Sequence, residues 1–247
     1  MKNTILSLIV IISFSTFIYS QVKQVDIPEY RNINNSTFSS GNGKAPNFLI
    51  DPSSKQPTLL EDIDGSPYLN EKYLSGALVN AKSGTQTNAY LRYNIFNDEI
   101  LIKNENYETA PVSLFLKNTD VFAKFDNKEF HVKNIKDDDN NEAKRFVQLL
   151  KKYDKFAIYK RYYQNLRPLK KARTSFEKDT PPTLKNYEQY YIEKDGEIKT
   201  LEMHRKKIVD AFPNHYSELK TFIKKENLRF NDEADLIILG DYYNSLD

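Results

Sequence analysis

Cysteine is absent from the chain. That one absence removes disulfides, thiolate zinc sites, iron–sulfur clusters and cysteine nucleophiles, and with them the lipid-modified cysteine of a bacterial lipoprotein. Glycine is nearly as scarce, with 7 in 247 residues. Phosphate-cradling loops of the P-loop or dinucleotide-binding kind need backbone amides unshielded by side chains, so nucleotide-dependent catalysis lacks its raw material. Tryptophan is missing, and histidine occurs only at His131, His204 and His215. No HExxH motif joins them, and Pro213 breaks any helix that would carry both His204 and His215, so no metal site is expected. No GxSxG elbow offers an activated serine. No cofactor and no catalytic residue is expected, and the leading reading is non-enzymatic.

What the chain does have is aromatic and charged material in balance. Its 17 Tyr and 15 Phe supply a core, 28% of residues are charged, and the net charge is +2, which places it among globular chains and names no partner by itself. The N-terminus carries Lys2 and then the serine-diluted apolar run from Ile5 to Tyr19. That run is shorter than the roughly 20 apolar residues of a membrane-spanning helix and reads as a secretory signal peptide over 1–20, cut after Ser20. Ile18 is a less suitable residue at the third position before the cut, so an uncleaved anchor is the alternative. The expected destination is the periplasm or the extracellular space, with no transmembrane segment once the signal is removed. Loss of Lys2 leaves 35 basic residues against 34 acidic.

Residues 21–61 are rich in Asn, Ser, Pro and Gly and read as a flexible leader. Two glycosylation triplets begin at Asn34 and Asn35, but the charge-poor signal and Lys/Asn/Ile-rich composition point to a bacterium, where they are incidental. Residues 62–199 form short β-prone runs separated by turn residues. The clearest hairpins are Val121–Val132 across Asp126-Asn127-Lys128, and the run before Glu197 joined through Asp195-Gly196. Glu142–Tyr153 fits helical spacing through Phe146, Leu149, Leu150 and Tyr153, but the aromatic, β-branched continuation favours two strands joined around Asp154.

Residues 200–247 change period. Leu201, Ile208, Ala211 and Phe212 fit one helix ended by Pro213; Tyr216, Leu219, Phe222 and Ile223 fit a second, capped by Asn214 and ended at Asn227 with Leu228 folded back on Ile223. A third starts at Asn231 or Asp232 and buries Leu236, Leu239, Gly240, Tyr243 and Leu246. The fold class expected is α+β: an antiparallel β-rich body, as a meander, sandwich or open barrel, with a C-terminal three-helix segment packed on it.

The combination GSPYLNEKYLSGALV (Gly65 to Val79), LRYNIFND (Leu91 to Asp98), FIKKENL (Phe222 to Leu228) and DLIILGDYYNSL (Asp235 to Leu246) resembles a widespread family of uncharacterised exported bacterial proteins. The resemblance covers most of the chain after the leader. It implies export, a β-rich body with a helical tail, and a strand pair over Phe146 to Tyr163 in whose turn the family pattern has Gly where this chain has Asp154. It implies no activity and transfers no catalytic residue.

Two acidic runs invite a calcium reading. In Asp137-Asp138-Asp139-Asn140-Asn141-Glu142, however, Glu142 occupies the sixth position, where an EF-hand needs Gly, and Gln148 the twelfth, where it needs Glu. Asp62-Ile63-Asp64-Gly65 is a fragment of such a loop, and both read as solvated loops. Charge is most uneven between Lys144 and Arg173, where Asp154 is the only acid. Within this segment Lys151, Lys152, Lys155, Lys160 and Arg161, interleaved with Phe156, Tyr159, Tyr162 and Tyr163, form the candidate surface for an anionic partner: an acidic or phosphorylated glycan, a lipid headgroup or an acidic envelope protein. No nucleic-acid motif accompanies the run, so nucleic acid is not expected. Strand alternation sets Lys151 and Lys155 on one parity and Lys152 and Lys160 on the other, unless the turn at Asp154 shifts the register. The competing reading is a solvated strand face whose lysines resist aggregation.

Function at this level is an exported, non-enzymatic binding or assembly role. The alternatives are an envelope hydrolase whose carboxylates meet only in space, and an anion- or calcium-dependent surface module. Mass spectrometry of the exported product should find a soluble chain beginning at Gln21; a membrane-bound product retaining Met1 contradicts the signal assignment.

Overall fold

The computed structural model of the chain describes residues 30–32, 48–50, 57–59, 63–136, 141–172, 174 and 176–246. The expected signal peptide, the Asn34 and Asn35 triplets, Asp62, Asp137–Asn140 of the acidic run and Arg173 lie outside the described residues. Within the expected leader, three short strands are described: β1 (Tyr30–Asn32), β2 (Phe48–Ile50) and β3 (Pro57–Leu59).

The body is strand from β4 onward: β4 (Leu74–Asn80), β5 (Gln86–Asn94), β6 (Glu99–Lys103), β7 (Ser113–Phe115), β8 (Val121–Phe125), β9 (Lys128–Lys136), β10 (Glu142–Lys152), β11 (Phe156–Arg167), β12 (Thr183–Lys194) and β13 (Glu197–Leu201). Eleven strands make one sheet in the order β1-β7-β6-β5-β4-β8-β9-β10-β11-β12-β13, while β2 and β3 pair with each other. Every strand pair is antiparallel. From β4 the chain meanders outward through β5, β6 and β7. It then returns to the other edge of β4 with β8 and meanders the opposite way to β13.

Local chemistry accounts for the turns. Asp126 and Asn127 both take left-handed backbone (φ 53 and 54), as do Asp195 and Gly196 (φ 53 and 79), which is the two-residue turn whose twist matches the flanking strands. Lys128 therefore belongs to β9, opposite Phe125, and not to the connection expected from sequence. The β10–β11 turn holds Tyr153 N–H to the Phe156 carbonyl at 2.8 Å. Asp154 is not among the residues at positive φ, so this turn has no need of a glycine. Glu142–Lys152 is strand, as the two-strand reading expected.

The C-terminal part has two helices, α1 (Tyr216–Lys225) and α2 (Glu233–Asn244), and only a 3-10 turn over Ile208–Ala211 where the first of three helices was expected. The reason lies in Leu201, which pairs with Tyr190 as the last residue of β13. Between it and Ile208 only Met203 is even half-buried, so a helix there would have no apolar stripe to bury. The cap of α1 also differs: His215 holds the N-cap position at φ 53 with no side-chain bond capping the helix, and Asn214 beside it is left-handed too. Past the helix end, Asn227 is left-handed at φ 54 and Leu228 N–H reaches the Ile223 carbonyl at 3.1 Å, the closing bond of a Schellman motif. Asp232 caps α2 by accepting from Ala234 N–H at 3.0 Å.

Apolar residues sort into two main cores. Leu91, Tyr93, Ile100, Phe115, Phe125, Phe130 and Phe146 fill the first, over β4 to β10. In the second, Phe156, Ile158, Tyr190 and Ile192 from β11 and β12 meet Ile208, Leu219, Ile223, Leu236, Leu239 and Tyr243 from the C-terminal part. Gly240 lets α2 lie close to the sheet, since a Cβ there would stand 2.7 Å from the Tyr153 hydroxyl and 2.9 Å from Ile158 Cδ1. Gly76 in β4 is tighter, because its Cβ would strike the Lys124 carbonyl of the neighbouring strand and come within 2.7 Å of Phe125 Cβ. Gly76→Ala should therefore cost about 1–3 kcal/mol of stability, seen as a lower urea midpoint at unchanged slope.

Candidate functional site

The basic segment is sorted by one irregularity. β10 pairs with β11 through Gln148↔Lys160 and Leu149↔Tyr159, then skips Leu150 and resumes at Lys151↔Ile158 and Lys152↔Ala157. This bulge moves Lys151 onto the pleat of Ile158 and Lys160, beneath the C-terminal helices, and Lys152 onto the pleat of Ala157 and Arg161. Lys155 lies in the turn. Four of the five residues are thus divided between the two faces of the sheet, the fifth lies between strands, and the register shift sits at Leu150, not at Asp154.

On the helix-facing pleat the cations meet acids. Lys151 Nζ lies 2.6 Å from Asp241 Oδ1, which also accepts from the Tyr153 hydroxyl at 2.8 Å. Burial would raise the Asp241 pKa, but the bonds from Lys151 and Tyr153 outweigh it and hold the carboxyl below its ordinary value. Lys160 is 9% exposed and lies 2.8 Å from Glu188 and 3.1 Å from Glu233, between the rings of Tyr162 and Tyr190. Burial pulls its pKa down, yet Glu188, the Tyr162 hydroxyl and Glu233 carry it above lysine's usual value. Both lysines fasten α2 to the sheet, and neither presents a free charge.

The opposite pleat of the β11–β12 hairpin is arranged differently. Pairing sets Arg161 against Gln189, Tyr163 against Tyr187, Asn165 against Lys185 and Arg167 against Thr183. Tyr163 and Tyr187 stack at 5.3 Å and 19°. The Arg161 guanidinium lies 5.2 Å from the Tyr163 ring and Lys185 Nζ 5.7 Å from the Tyr187 ring, so two cations bracket two rings. No carboxylate occurs on this pleat between Arg161 and Arg167 or between Thr183 and Tyr191. Arg161 Nε is buried with no protein acceptor, and the neighbouring Tyr191 hydroxyl, its pKa raised by burial against the pull of Arg161, donates to Gln189 at 2.8 Å. Arg167 and Lys185 are exposed. The next acid along β12 is Glu193, already held by Lys133 at 2.7 Å and by the Tyr159 hydroxyl at 2.9 Å.

Of the residues chosen from sequence, Arg161 lies on this acid-free pleat. Arg167 stood within the basic run but was not singled out, and Lys185, Tyr187 and Gln189 were missed. They come from a strand 15 residues further along, and only the β11–β12 register, which no short turn announces, places them beside Arg161. The histidines occupy separate elements: His131 stacks on Phe122 at 4.7 Å with its pKa lowered by burial, His204 precedes the 3-10 turn, and His215 caps α1. Among the described residues no group of three or more His, Asp or Glu side chains is placed to hold a metal ion, and no helix is long and apolar enough to cross a membrane.

No family model matches the sequence, no curated protein matches it, and no solved structure matches its fold. The residue pattern noted in the sequence therefore brings no activity to the chain.

Lys160→Met should lower stability by about 1–2 kcal/mol, a modest loss for a buried ion because Glu188 and Glu233 are close to half exposed and regain water. Retention on immobilised heparin should not change. Weaker retention with unaltered stability would place Lys160 on the binding surface instead.

Proposed function

We propose that this chain is an exported, non-enzymatic binding protein of the bacterial envelope or extracellular space, and that the β11–β12 hairpin engages its anionic partner. The observation that carries this reading is the outer pleat of the hairpin, whose two strands carry no acid there, with Arg161 on one side of a stacked tyrosine pair and Lys185 and Arg167 on the other. A chain with almost no net charge has no overall attraction for anions. A local surplus on one pleat supplies attraction with direction, because Arg161, Arg167 and Lys185 outnumber Asp64, the acid bridged to Thr183 at the root of the hairpin, and exposed charges act over roughly 8 Å at physiological salt. The amide side chains of Asn165 and Gln189 and the tyrosine hydroxyls add hydrogen-bonding groups suited to phosphate, carboxylate or sulfate oxygens.

Export is supported by the N-terminal apolar run, and a binding role by the residues of the pleat. Arg167→Glu with Lys185→Glu changes two exposed side chains and should leave the unfolding midpoint in place. Elution of this double variant from immobilised heparin should occur at clearly lower salt than that of the wild type. If the wild type is not retained even at low salt, the anionic-partner reading fails.

A further inference from the structure

Beyond Arg167 the hairpin continues as a narrow ribbon that leaves the body. Lys170 and Thr180 exchange both backbone hydrogen bonds, at 3.0 and 2.9 Å, and Asp179 Oδ1 accepts from Ala172 N–H at 2.7 Å. Every described residue from Arg167 to Pro181 is exposed except the half-buried Ala172. At the tip stands Phe176, 98% exposed, with Leu169 48% exposed on the stem. Both are set among four cations, Arg167, Lys170, Lys171 and Lys178, against two acids, Glu177 and Asp179.

We infer that this tip docks on an anionic lipid surface, with Phe176 entering the boundary between headgroups and acyl chains while Arg167, Lys170, Lys171 and Lys178 face lipid phosphates. The inference rests on the anionic-partner reading and names the partner. A fully hydrated phenyl ring is unfavourable in water and gains by entering the apolar side of an interface. The surrounding lysines supply the second attraction that a single apolar anchor needs for stable association with a membrane. A protein partner fits less well. Stable protein interfaces bury about 800 Å² per side with shape complementarity, and a two-stranded ribbon ending in one aromatic residue offers little area and no concavity. A bilayer interface demands neither.

The chain contains no tryptophan, so Phe176→Trp installs a single reporter at the tip. With vesicles of mixed phosphatidylglycerol and phosphatidylcholine, the indole emission should shift to the blue and be quenched by brominated acyl chains. Pure phosphatidylcholine vesicles should do neither. In the otherwise unaltered chain, Phe176→Ala should weaken vesicle binding by roughly tenfold or more. Lys170→Glu with Lys171→Glu should weaken it by on the order of fivefold or more per charge, and less so as salt rises. Vesicle binding without an emission shift overturns the docking of the tip. No vesicle binding while retention on heparin persists overturns the lipid inference and leaves the anionic reading standing, whereas loss of both removes both. A blue shift on concentrating the Phe176→Trp chain without lipid means that the tip meets a second copy, which also overturns the proposal.

Discussion

The Asp98 carboxylate stands where the sheet divides. β10 pairs with β9 from Glu142 to Gln148 but with β11 only from Gln148 to Lys152, so the first half of β10 turns away from the hairpin beside it. Parting two strands strands a backbone donor, and a buried N–H without an acceptor costs on the order of 1–3 kcal/mol. Asp98, in left-handed backbone at φ 56 between β5 and β6, supplies the acceptor, taking Phe146 N–H at 3.3 Å and the Tyr93 hydroxyl at 2.7 Å. Its charge is balanced by Lys117 at 2.6 Å, with Arg145 at 3.9 Å. The turn of one meander is thereby fixed to a strand of the other. Tyr93, Phe130 and Phe146 close over the junction with edge-on ring contacts at 5.3 and 5.9 Å.

Because β10 leaves it, the β11–β12 hairpin has to be held from elsewhere. Its root is fastened by Ile63, Phe96, Leu166 and Leu184, by Asp64, which pairs with the backbone of Pro182 and Leu184, and by Gln164, whose amide donates to the Ser66 carbonyl and to Asn186. Past Leu166 the described residues of the ribbon up to Pro181 are exposed apart from the half-buried Ala172, which is short of what an isolated pair of strands needs for firm stability. The Lys170–Thr180 bridge, the Asp179 contact and the bond from Glu177 N–H to the Thr174 carbonyl at 3.2 Å hold it in register. The same division that stabilises the body therefore creates the projecting element, and binding chemistry placed there does not compete with the packing of the core.

Much of the fold was legible because its determinants are local. The Asp126-Asn127 and Asp195-Gly196 turns announce their hairpins, and the Asn227-Leu228 ending and Asp232 cap announce helix boundaries, each through the backbone preference of one or two residues. What was misread depended on distant partners. Leu201 has the right spacing for a helix, but the edge of β12 claims it for a strand. Leu150 has nothing in its side chain to mark a bulge, yet the bulge decides which lysines share a face. The candidate surface was legible at Arg161 and not at Lys185 or Tyr187, since only the pairing register joins them.

Charge in this molecule has to be counted by pleat, not by stretch of sequence. The basic segment looks unopposed locally because its acids are Glu233 and Asp241, 73 and 90 residues after the lysines that they meet. Those pairs neutralise the helix-facing side and hold α2 in place. Alternation then leaves Arg161, Arg167 and Lys185 on the other side, where Lys160 and its acids cannot share the pleat. A strand delivers successive side chains to opposite faces, so one run of basic residues can brace a helix on one face and keep a surplus of positive charge on the other. A helix carrying the same run would spread its cations around one cylinder and could not separate the two tasks so cleanly.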